Sequence, residues 1–75
     1  LGRSKPTELT NKIRQLRFSA NEMTQADLAE RVGVTRQTII AIEKGKYAPS
    51  LEVAFRIARV FDESVEGVFE FHGSQ

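Results

Sequence analysis

Apolar residues recur along this chain in short helical stretches separated by polar breaks. Leu9, Ile13, Leu16 and Ala20 follow one another at spacings of four, three and four, which predicts a first helix from Leu9. Asn21-Glu22 reads as its end. Thr24 is a good N-cap, with Asp27 at the third helical position, where a capping box and the helix dipole both favour an acid. Leu28, Ala29 and Val32 form the apolar stripe of this second helix, and Gly33 suits its C-terminal stop. Thr35 caps a third helix from Arg36 to Lys44, ended by Gly45. Lys46-Tyr47-Ala48-Pro49 is a loop. Ser50 then caps a longer helix with Leu51, Ala54, Ile57, Ala58 and Phe61 on one stripe, and Ser64 opens a last short turn through Phe69. Val68 to His72 alternates enough for a short strand. The expectation is five helices, with that strand at the end.

Composition narrows the class. Seventy-five residues hold one small domain, which buries only about 60% of its unfolded surface and folds alone only when well patterned. Residues 1–8, with Pro6, read as a loose arm, with a cloning remnant as the alternative for part of it. Residues 9–70 read as the domain and 71–75 as a tail. The chain has no Cys and a single His, His72, which excludes an N/S zinc site; no metal or cofactor is expected. No apolar run approaches the roughly 20 residues of a membrane span, and a reducing cytoplasm is the default compartment. The net charge of +1 conceals an asymmetry. Residues 1–46 carry nine bases and five acids, and residues 47–75 two bases and five acids, so the halves stand at +4 and −3. One end of the molecule is therefore suited to a polyanion.

Two short helices joined across Gly33-Val34 are the informative constellation. A steep crossing needs a small residue inside the first helix, a glycine able to take positive φ, and apolar residues inside the second. Ala29, Gly33, Val34, Ile39 and Ile42 meet those needs. The segment TQADLAERVGVTRQTIIAIEKG, Thr24 to Gly45, resembles the helix-turn-helix of the phage-repressor and Cro-like (XRE) family. Gln25 opening the first helix, Ala29, Gly33 and Ile39 at the family's spacings, and the IEKG ending carry the likeness, which spans roughly residues 10–70. The resemblance implies an all-α, five-helix DNA-binding domain with the motif at helices 2 and 3. A helical wheel is independent of the family. Ile39 and Ile42 face inward, flanked by Thr35 and Thr38, while Gln37, Ile40, Ala41 and Lys44 occupy the opposite face with Arg36 on its flank. Ile40 is the oddity, since solvation alone favours a polar residue there.

The resemblance places the third helix in a DNA major groove. Carried over by position, Arg36, Gln37, Ile40 and Ala41 become candidate base readers, with Thr35 at the entrance. Arg36 suits guanine O6 and N7, Gln37 adenine N6 and N7, and Ile40 thymine methyls. Thr24 and Gln25 at the start of the second helix, Lys44, Lys46 and Tyr47 after the third, and more weakly Arg14 and Lys12, are candidates for phosphate contact. Arg17 and Glu43 are expected as a structural ion pair. Thr24, Thr35 and Ser50 are caps first, and His72 is expected to be a solvated residue.

One recognition helix reads few base pairs, and the family's solution is a twofold dimer on half-sites about 34 Å apart. Four of the five phenylalanines follow residue 54, and Val65, Val68, Phe69 and Phe71 are the candidate dimer surface, with completion of the monomer core as the alternative. The leading expectation is a homodimeric, sequence-specific regulator of double-stranded DNA, a repressor that occludes a promoter. The alternative is an antitoxin-like interaction module whose C-terminal apolar end takes a protein partner. An enzyme fits worst, because the chain offers no phosphate loop and no recognisable nucleophile–base motif. Asp62, Glu63 and Glu66 read as a solvated acidic face.

Overall fold

The computed structural model describes residues 7–73, in the order β1 (Leu9–Asn11), α1 (Ile13–Ser19), α2 (Gln25–Val32), α3 (Arg36–Glu43), α4 (Leu51–Val60), α5 (Val65–Val68) and β2 (Phe69–Phe71). Four helices begin on hydroxyl caps. Thr24 accepts the Asp27 N–H at 2.9 Å while Asp27 accepts the Thr24 N–H at 3.4 Å, and Thr35, Ser50 and Ser64 accept the N–H groups of Thr38, Val53 and Gly67. Each cap satisfies a donor that a helix start leaves open.

Gly33 ends α2 at φ 88°, a left-handed conformation that costs a residue with a Cβ about 1–2 kcal/mol. It lets the chain reverse within three residues into α3. Arg56 of α4 locks that corner from behind, its Nη1 donating to the Val32 carbonyl at 3.1 Å. Ile13, Leu28, Val32, Ile39, Ile42, Ile57 and Val68 are fully buried and form the centre of one core shared by all five helices. No helix among the described residues is long and apolar enough to cross a membrane.

Several sequence expectations give way here. Leu9 does not begin a helix: Leu9–Asn11 is a strand paired antiparallel with β2, in the register Leu9 with Phe71, Thr10 with Glu70 and Asn11 with Phe69. A spacing of four between Leu9 and Ile13 suits a helix, but the Asn11 side chain takes the Ile13 N–H at 3.1 Å and starts α1 there. Thr7 and Glu8 are not a loose arm. The Thr7 N–H donates to the Gly45 carbonyl at 3.0 Å, and the Glu8 carbonyl accepts the His72 N–H at 2.8 Å. The remainder of the expected arm, residues 1–6, and of the expected tail, residues 74–75, lie outside the described residues. His72 is exposed but bonded, with Nε2 2.8 Å from the Thr10 hydroxyl. Leu51 is 71% exposed, not part of the α4 stripe. At the first helical position its side chain leans back toward the loop, away from the core.

Candidate nucleic-acid interface

The inward face of α3 is held by Ile39 and Ile42, and that anchoring turns the rest of the helix outward. Arg36, Gln37 and Lys44 are exposed, and Ile40 and Ala41 are half-buried. Arg36, Ile40 and Lys44, spaced by four, form one wall of an open cleft. Thr24, Gln25 and Ala26 at the start of α2 form another wall, and Arg14 and Phe18 of α1 complete it. Gln37 and Ala41 stand on the adjoining flank of α3. Thr35 is exposed at the helix start, its hydroxyl 3.0 Å from that of Thr38 as well as capping it. Lys46 and Tyr47 are exposed in the loop that leaves α3.

A charged network lies at the floor of the cleft and joins three helices. Arg17, only 7% exposed, donates from Nε to Glu43 Oε2 at 2.7 Å, from Nη2 to Glu43 Oε1 at 3.1 Å and from Nη1 to the Met23 carbonyl at 2.9 Å. The fork geometry matches a carboxylate in two places at once, which is why arginine serves here. Gln25 Nε2 donates to the same Glu43 Oε1 at 3.1 Å. The amide nitrogen of Gln25 thus ties the start of α2 to the end of α3. Glu43 is neutralised within this network. Arg14, Arg36 and Lys44 make no salt bridge among the described residues, so three cations outnumber the one exposed carboxylate in the cleft lining, Glu22.

Phe18 lines this cleft and was not anticipated. It is exposed, with the guanidinium carbons of Arg14 and Arg17 at 5.4 and 5.7 Å from its ring centroid, within cation–π range. The available signal was an aromatic off the α1 stripe, four residues after one arginine and one after another. The acidic end differs from expectation. Val68 and Phe69 belong to the chain's own core, at 1% and 8% exposure, and Val65 packs half-buried against it. The side chains of Val68 and Phe69 are thus already covered, while Val65 keeps part of its surface. Phe71, at 64% exposure, is the member of that group left outside.

Residues 13–68 match the helix-turn-helix family, a span that includes all five helices. An uncharacterized HTH-type transcriptional regulator of Methanocaldococcus jannaschii is 49% identical over 67 residues, covering 89% of this chain and all of that protein. Another from Archaeoglobus fulgidus is 51% identical over 63 residues, covering 84% and 87% of the two chains. The Bacillus subtilis regulator YgzD, also uncharacterized, is 48% identical over 61 residues, or 81% and 91%. Among solved structures, a candidate DNA-binding protein from Bacteroides fragilis superposes with a TM-score of 0.70 at 22% identity, over 83% of this chain and 98% of that one, which is a likeness of fold. With the capped helix pair, the left-handed Gly33 and the family match covering the same residues, the chain belongs to the XRE-type helix-turn-helix family.

Proposed function

We propose that this chain regulates transcription by binding double-stranded DNA, reading base sequence with α3 in the major groove. Its work is binding, not catalysis. The observation that carries the reading is the outer side of α3: Arg36, Gln37, Ile40 and Lys44 remain at the surface although the helix is pinned by two buried isoleucines. A half-exposed isoleucine between two free cations is poorly suited to water and well suited to the thymine methyls and phosphates of a duplex. The regulators of similar sequence support the same reading.

In the finer form of this proposal the protein is a repressor that covers a promoter as a homodimer on a palindrome. Arg36, Gln37, Ile40 and Ala41 read bases, with Thr35 at the helix start. Thr24, Gln25, Lys44, Lys46, Tyr47 and Arg14 hold the backbone. A twofold contact has Phe71 to use, together with the exposed Leu51 and Phe55 of α4, since Val68 and Phe69 are committed to the core. The test is selection of bound oligonucleotides from a random duplex pool. A palindromic consensus is expected. Recovery of no consensus would replace base reading with an interaction module that binds a protein through these apolar residues.

A further inference from the structure

Asn11, which starts α1 and lines the edge of the cleft, has both ends of its amide engaged. Oδ1 accepts the Ile13 N–H, and Nδ2 donates to the Ile42 carbonyl at 3.0 Å. Ile42 sits in the last turn of α3, where carbonyls lack intrahelical partners. That turn closes with the Lys46 N–H on the Ala41 carbonyl and the Gly45 N–H on the Ile42 carbonyl, both at 3.0 Å, around Gly45 at φ 73°. This is a Schellman closure. The segment Thr7–Asn11 adds two bonds from outside: Asn11 to Ile42, and the Thr7 N–H to the Gly45 carbonyl. The segment is itself held by β2 and by the Lys12 N–H on the Val68 carbonyl at 2.9 Å. A strap thus runs from the C-terminal strand through β1 to the end of α3 opposite Arg36.

Eight residues make a helix of only about 12 Å, too short to hold its own direction. Buried Ile39 and Ile42 fix which side of it faces inward and Glu43 ties it to Arg17 and Gln25, and its remaining freedom to tilt is limited by what grips its two ends. The Gly33–Thr35 turn grips the first and the strap grips the second. Hydrogen bonds to base edges weaken steeply with misalignment, whereas phosphate contacts by long cationic side chains tolerate it. We propose that Asn11 is a specificity-determining positioning residue: its amide bond to the Ile42 carbonyl fixes the angle at which α3 enters the groove. The inference rests on the DNA-reading function proposed above and adds to it a residue at the edge of the cleft whose amide is engaged within the chain, by α1 and α3.

Two variants separate its roles. Asn11→Ser keeps a short acceptor for the Ile13 N–H and cannot reach Ile42; Asn11→Asp keeps size and acceptor but has no donor. Each is measured by fluorescence anisotropy on the selected duplex and on a scrambled duplex of equal length, at a temperature where circular dichroism shows it folded. Dividing the scrambled-duplex Kd by the selected-duplex Kd gives a specificity ratio that cancels the general repulsion the aspartate adds on both duplexes. The ratio is expected to fall about threefold to tenfold in both variants, the range of one neutral hydrogen bond. The salt slope of Asn11→Ser should match the unmodified protein, because no phosphate contact is lost. A wild-type ratio in either folded variant overturns the proposal, and so does failure of both to fold, which would make Asn11 a stability residue alone. An unmodified protein that binds both duplexes equally would instead overturn the DNA-reading function, and this inference with it.

Discussion

Glu43→Ala should be the most damaging single change on the cleft floor. Glu43 accepts three hydrogen bonds, two from Arg17 and one from Gln25, and the two charged side chains are only 9% and 10% exposed. Removing the carboxylate leaves the Arg17 guanidinium buried with the Met23 carbonyl as its remaining hydrogen-bond partner, beside the Phe18 ring. Breaking a buried pair from one side costs about 3–5 kcal/mol, because the surviving charge loses its compensation. A domain of this length has roughly 4–11 kcal/mol in total, so the variant stands near the edge of folding. At about 4–8 °C per kcal/mol, its thermal midpoint should fall by at least about 12 °C. The assay is urea and thermal unfolding by circular dichroism, with Arg17→Met/Glu43→Leu as the companion. That double variant removes both charges and should recover most of the loss. A loss below about 1 kcal/mol in Glu43→Ala would mean that water screens the pair as it does an exposed one, and would refute the reasoning. A double variant no more stable than the single one would refute it too.

Three further outcomes follow from the interface. Arg36→Ala should weaken binding to the selected duplex and relax preference at one base position, by about 1–3 kcal/mol of discrimination; equal losses on selected and scrambled duplexes would contradict base reading. Lys46→Ala should lower affinity on every sequence and flatten the slope of log K against log salt by about 1, and an unchanged slope would remove its phosphate role. Phe71→Asp should leave the fold intact and shift a dimer toward monomer in sedimentation, whereas Phe69→Asp should unfold the chain because its side chain is in the core. A protein already monomeric before substitution at working concentrations would end the twofold proposal.

The motif was legible because its constraints are local. Thr24 with Asp27, Gly33, and Thr35 each act on backbone groups within three residues, so residue type and spacing suffice to place them. The in-and-out sense of α3 was legible too, because Ile39 and Ile42 against Arg36, Gln37 and Lys44 is a one-helix pattern. Phe69 and Phe71 illustrate the limit. They alternate on the same side of β2, but the core ends beneath the first, and nothing within a strand tells where a core ends. The amide of Gln25 is similar, since its partner Glu43 is eighteen residues away on another helix.

By itself the order of residues determined where α2, α3, α4 and α5 start, which side of α2 and α3 turns inward, and that the helix pair bends sharply at a glycine. These follow from bonds and steric limits inside one or two turns of chain. Only the tertiary structure decided that Leu9–Asn11 is a strand, that Val68 and Phe69 close the core, and that Asn11 and Thr7 grip the far end of α3. Those outcomes depend on hydrogen-bond partners and covering surface brought together from opposite ends of the chain.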